Sequence, residues 1–125
     1  MDANASAPLT LGNIELFAAD PTASKAFYME ILGFELVAEQ PGPCVWLKCG
    51  NQEILLRPRR KAHPAESYDQ SRIALVLYTD SYDRAVRELV ERGLRFGAPD
   101  GGDRCATFAD PDGNWFQLVD PTEHA

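Results

Sequence analysis

Apolar and polar positions alternate over residues 11–18, with Ile14 and Leu16 on one face and Asn13, Glu15 and Phe17 on the other, and this period-two pattern predicts a half-buried strand. At Asp20-Pro21 the period changes. Aspartate as N-cap and proline at the first helical position start a helix whose stripe runs through Ala23, Ala26, Phe27, Glu30 and Ile31, and Gly33 stops it. Alternation returns over residues 34–40. After the Pro41-Gly42-Pro43 turn it continues over residues 44–49, where Val45 and Leu47 oppose Trp46 and Lys48. Gly50-Asn51 reads as a hairpin turn into a fourth strand at residues 52–57. The order is β-α-β-β-β.

Residues 58–70 break the pattern with Pro, Arg, Lys, His and Ser, as a surface linker does. A second unit starts at Arg72. Ile73, Leu75 and Leu77 alternate with Ala74, Val76 and Tyr78, and Asp80, with Asp83 three residues on, is the expected N-cap of a helix. That helix carries an apolar stripe through Tyr82, Ala85, Val86, Leu89 and Val90 as far as Gly93, with Glu88 and Arg92 paired on its wet side. Leu94-Arg95-Phe96 reads as a short strand, followed by a turn at 97–103 and a strand at 104–109. Asp110-Pro111-Asp112-Gly113-Asn114 is a tight reversal into a last strand, in which Phe116 and Leu118 oppose Trp115, Gln117 and Val119.

The two units echo each other. Gly50, Asn51, Leu55 and Pro58 recur as Gly113, Asn114, Leu118 and Pro121 at a constant offset of 63, and Ile14, Leu16 and Ala26 recur as Ile73, Leu75 and Ala85 at 59. The expectation is one α+β domain over residues 1–125. Two βαβββ modules, about 10–57 and about 71–121 with a linker at 58–70, form curved mixed sheets around a concave cavity with the helices on the outer face. With one helix to four strands, the second face of each sheet is left for a partner or a ligand, which predicts a homodimer.

Composition narrows the function. A net charge of −7 is the wrong sign for nucleic acid, and no apolar run is long enough to span a bilayer. The first residues carry neither the basic nor the apolar segment of a secretion signal, so the expected location is the cytoplasm. Three cysteines without a Cys-x-x-Cys spacing argue against a disulfide framework or a zinc ribbon and read as reduced, mostly buried thiols.

Ile14-Glu15-Leu16-Phe17 leading to Asp20-Pro21, then Ala26-Phe27-Tyr28 with Ile31-Leu32-Gly33-Phe34, and the closing Asp110-Pro111-Asp112-Gly113-Asn114 together resemble the glyoxalase I, bleomycin-resistance protein and extradiol dioxygenase superfamily. The resemblance covers nearly the whole chain and implies its fold far more than its activity. In metal-dependent members a divalent ion is held by His, Glu or Gln on the first and last strands of each module. Those positions fall here on Asn13, on Arg72 or Ser71, on Ile54 or Leu55, and on Gln117. Only Gln117 suits a metal. The two histidines, His63 and His124, lie on no expected strand, and a fixed guanidinium at Arg72 opposes a cation.

The expectation is therefore no metal and no cofactor, with small-molecule binding of the bleomycin-resistance type, as in antibiotic resistance. The alternative is a metal-dependent lyase, isomerase, dioxygenase or thiol transferase with an atypical site. The expected ligand face carries Asn13, Glu15, Trp46, Arg72, Trp115 and Gln117: tryptophans to stack, amides to orient, charges to select. Glu15 is the candidate general base if the protein is an enzyme, although pairing with Arg72 would hold it charged and weaken it as a base. A blander reading links Asn13 and Gln117 by an amide hydrogen bond and leaves the tryptophans as seam packing. The basic run Arg57-Pro58-Arg59-Arg60-Lys61 reads as solvated linker, without the glycines of a phosphate cradle.

Overall fold

A computed structural model describes residues 8–59 and 64–124. The first module comprises β1 (Ile14–Ala18), α1 (Pro21–Ala26) continued by a π-helical turn (Phe27–Ile31), β2 (Glu35–Gln40), β3 (Cys44–Cys49) and β4 (Gln52–Pro58). A 3₁₀ turn (Tyr68–Gln70) precedes the second module: β5 (Ala74–Tyr78), α2 (Tyr82–Glu91), β6 (Ala106–Ala109) and β7 (Trp115–Val119), with a last 3₁₀ turn at Pro121–His124. The strands form two mixed sheets, ordered β1-β4-β3-β2 and β5-β7-β6. In each, the first and last strands of the module run parallel and the rest antiparallel. The fold is α+β, as the alternation predicted.

The segment 94–96 is not a strand. Leu94 is buried and Phe96 packs against the core, but this stretch is bound to the sheet only at its end, where the amide of Gly97 donates to the carbonyl of Thr107 at 2.7 Å. Its apolar residues anchor a loop rather than a ladder.

α1 begins as expected, with Asp20 Oδ1 accepting from the Ala23 amide at 3.2 Å and Pro21 in the first turn. Its buried face differs from the expected stripe. Ala23, Ala26 and Glu30 are exposed, whereas Pro21, Ser24 and Tyr28 are buried and Phe27 and Ile31 pack beside them. Ser24 and Tyr28 turn inward because each hydroxyl meets a carboxylate from the second module. Gly33, at φ +77°, then takes the left-handed conformation that lets the Phe34 amide donate back to the Tyr28 carbonyl at 2.9 Å. α2 is capped at Ser81, not Asp80, and without a side-chain bond. Asp83 instead accepts from Arg104 at 3.0 Å.

A single apolar cluster joins the two halves. Val45, Leu47, Ile54 and Leu56 from one sheet and Phe108, Phe116 and Leu118 from the other meet around Tyr28, Phe34, Tyr82 and Leu89. The rings of Phe108 and Phe116 stack at 5.1 Å, and Tyr28 meets Phe116 at 6.1 Å. Arg92, expected on the wet side of α2, lies 3.9 Å from Glu88 and also donates to the Ile31 carbonyl at 3.0 Å, bridging the modules.

Within this apolar seam the Asp110 carboxylate accepts four hydrogen bonds. Oδ1 takes the amides of Asp112 and Asn114 at 2.9 and 2.8 Å, and Oδ2 takes the Tyr28 hydroxyl and Asn114 Nδ2. Burial first, and then the Asp110 charge, push the Tyr28 phenol well above its ordinary 10.0. A raised folded-state value means that the stability this contributes is complete below pH 10 and is lost as pH rises above it, because the unfolded chain ionises first. Tyr28→Phe should cost about 1–3 kcal/mol in denaturant unfolding by leaving a buried carboxylate one donor short. It should also flatten the loss of stability above pH 10, and an unchanged midpoint and alkaline limb would overturn this account.

Candidate functional site

β1 and β5 are the edge strands of their sheets, and a cleft of about 930 Å³ is lined by both together with the Asp110–Asn114 turn and the start of the second module. Residue parity explains the edge. Ala18 turns its carbonyl towards β4, accepting the Arg59 amide at 3.0 Å, so Glu15, Phe17 and Ala19 present their backbone groups to the cleft. The turn covers part of that edge with side chains: Asn114 Nδ2 donates to the Phe17 carbonyl at 3.2 Å, and Asp112 Oδ1 accepts from the Ala19 amide at 2.9 Å. Asp112 Oδ2 accepts from Ser24 Oγ at 2.8 Å.

Glu15, Arg72 and Trp115 of the expected ligand face line this cleft; Asn13, Trp46 and Gln117 do not. Trp46 stands on the open face of the first sheet opposite Leu55, with its Nε1 donating to Gln40 at 2.9 Å. Gln117 stands on the open face of the second sheet, where its Nε2 donates to the Asp100 carbonyl of the 97–103 loop rather than to Asn13. Glu15 pairs with Arg57, not Arg72: the two residues sit on neighbouring strands and their charges meet at 3.0 Å. The indole of Trp115 donates to the Ala65 carbonyl at 2.8 Å, which ties the linker to the sheet. Of the basic run, Arg57 and Arg59 are described; Arg60, Lys61 and His63 lie outside the described residues. Arg59 proves to be a cleft residue, its guanidinium 3.4 Å from the centre of the Phe17 ring. The signal for it was its place one residue beyond a strand that neighbours Phe17.

The offset of 63 misleads in one respect. Ile54, four residues after Gly50, faces the core, whereas Phe116, three residues after Gly113, does so in the second module. A one-residue difference in the hairpins exchanges the faces, so Leu55, buried at 8%, lies on the sheet face opposite Ile54 and outside the shared cluster, while its letter match Leu118 is within that cluster.

That parity bears on the donor chemistry at the ligand positions the resemblance implies. The superfamily's ligand positions carry Asn13, Arg72 or Ser71, Leu55 on the open face with Ile54 in the core, and Gln117, whose amide is already engaged. An arginine and a leucine cannot complete such a set, and the residues present do not fit a divalent ion. Among the described residues no group of three or more His, Cys, Asp or Glu side chains is arranged to hold one. His124 instead lies 3.7 Å from the thiol of Cys105. Among the described residues no helix is long and apolar enough to cross a membrane.

Residues 10–118 match the family model of the Glyoxalase/Bleomycin resistance protein/Dioxygenase superfamily, and the chain belongs to that family. No protein of curated function matches it. Among solved structures it is similar to TnmS3, an antibiotic-binding protein from Streptomyces sp. CB03234, with 28% identity over 90% of this chain and 98% of that one and a TM-score of 0.67. It is also similar to lactoylglutathione lyase from Agrobacterium tumefaciens, at 22% identity over 90% and 94% with a TM-score of 0.67. The fosfomycin resistance protein FosX from Mesorhizobium loti aligns at 18% over 92% and 95%, with a TM-score of 0.68. The latter two likenesses concern fold alone.

Trp115→Phe keeps an aromatic ring in the cleft wall but removes the Nε1 donor to Ala65 and the outer indole carbons that lie beside Gly97. We expect a loss of about 1 kcal/mol in stability and faster amide exchange over residues 65–70. Unchanged exchange there would show that the linker is held by other contacts.

Proposed function

We propose that this protein binds a small organic molecule without a metal, in the manner of the bleomycin-resistance branch, and sequesters it in the β1–β5 cleft. The observation that carries the reading is the cleft itself. Its volume falls within the roughly 300–1,000 Å³ range of small-molecule sites, and aromatic, charged and backbone groups converge on it while the metal positions hold arginine and leucine. The likeness to an antibiotic-binding protein at 28% identity supports the same class. Trp115 offers aromatic surface for a planar ligand beside the Arg59–Phe17 stack, and binding by shape, stacking and charge requires no general base. Cys44, Cys49 and Cys105, which form no disulfide, accord with action in the cytoplasm.

With only two tryptophans, one in the cleft wall, ligand entry should change intrinsic fluorescence. Titration with a panel of aromatic antibiotics and metabolites should yield a ligand whose affinity falls about 2- to 30-fold in Trp115→Ala. A ligand whose affinity is the same in that folded variant would place the pocket elsewhere. Elemental analysis of dialysed protein addresses the competing metal-dependent reading: an equivalent of zinc, nickel, iron or manganese would displace the metal-free one.

We also propose a homodimer. Val76 and Tyr78 on the open side of β5, and Ile73 just before it, are 48%, 74% and 75% exposed, and a second copy is the usual cover for such a surface. Light scattering at tens of micromolar should give twice the chain mass, and a species near 13.8 kDa would refute the dimer.

A further inference from the structure

The geometry points to an anionic group, a carboxylate or phosphate, as the feature of the ligand that the β1–β5 cleft selects. This rests on the reading of that cleft as the ligand site. Every carboxylate lining it is already engaged: Glu15 by Arg57, Asp112 by the Ala19 amide and the Ser24 hydroxyl, and Asp110 by four donors. Asn114 Nδ2 and Trp115 Nε1 are engaged as well, by Phe17 and Asp110 and by Ala65. Among the described residues, the side chains of the lining left without a hydrogen-bond or ion-pair partner include Arg59, Arg72 and the carboxamide of Gln70.

Two arginines therefore line one cleft with no carboxylate among the described residues paired to either, in a chain of net charge −7. Each guanidinium carries a fork of N–H donors whose geometry matches a carboxylate or a phosphate. Arg59 is also held in place: its backbone amide is bonded to Ala18 and its guanidinium carbon sits 3.4 Å from the centre of the Phe17 ring, and a guanidinium held over a ring keeps N–H donors at its edge that suit a planar or tetrahedral anion. A ring carrying an acid group fits both features, its face against the aromatic wall and its charge towards the arginines.

The test uses four probes that differ mainly in charge: benzoate, phenyl phosphate, benzamide and benzylamine, each titrated by calorimetry and by tryptophan fluorescence at low and high salt. Benzoate or phenyl phosphate should bind about tenfold more tightly than benzamide, with benzylamine weakest, and the preference should shrink as salt rises. Which of the two anions binds better tells carboxylate from phosphate. Arg59→Gln and Arg72→Gln should each reduce the preference, whereas Arg95→Gln, which removes the same charge outside the cleft, should leave it intact. Equal binding of benzoate, phenyl phosphate and benzamide, tightest binding of benzylamine, or a preference lost equally in Arg95→Gln would overturn the anion assignment while leaving the small-molecule reading standing. Failure of all four probes at millimolar concentration would overturn both.

Discussion

A carboxylate inside an apolar seam has to find its hydrogen bonds within the protein, and much of this fold is arranged to supply them to Asp110. Two donors come from its own turn and fix the turn's shape. A third, the Tyr28 hydroxyl, comes from the first helix, and the fourth, from Asn114, ties the turn to its own aspartate while the same amide reaches the Phe17 carbonyl of β1. One residue thereby sets the turn, holds the helix of one module against the sheet of the other, and fixes the turn beside a strand edge. The neighbouring Asp112 does the same for Ala19 and Ser24. Gly113 belongs to this joint for a reason beyond its φ of +84°: a Cβ there would stand 2.1 Å from that of Pro64, so the linker is pressed against the turn.

The joint also shapes the cleft. Because Asn114 and Asp112 satisfy backbone groups at the far end of β1, that edge needs no neighbouring strand at this point, and the two sheets stand apart instead of merging. What lies between them is a gap whose acidic groups are already occupied by structural work.

Much of the architecture was legible in the chain because strands with one buried face alternate, and the alternation here is clean: β3 came out residue for residue at Cys44–Cys49, and Asp20-Pro21 marked its helix start. What the pattern hid was polar burial. Ser24 and Tyr28 lay outside the stripe expected for α1 because a hydroxyl reads as polar until its acceptor is known, and the acceptors lie 88 and 82 positions away. The same blindness affected the site. Glu15 was matched by parity to Arg72, whereas strand register brought it Arg57, and Gln117 was matched to Asn13, whereas a loop carbonyl reached it first. Parity says which side a residue faces; it does not say which sheet that side belongs to, so six residues of like orientation were expected in one place and three of them line the cleft. Residues 94–96 were misread for a related reason, since Leu94 and Phe96 alternate as strand residues do while their backbone pairs with little.

The span between Tyr28 and Asp110 also has a meaning in time. At roughly 5–20 residues per second of synthesis, the phenol is made some 4–16 s before the carboxylate that will accept from it exists. During that interval the first helix has its acceptors in neither module, and water must serve its inward hydroxyls. The emerging half-chain is therefore a sheet with a loosely seated helix, and its last act of packing waits for the reversal at Asp110 to leave the ribosome. A nascent chain stopped short of that point would lack the joint altogether.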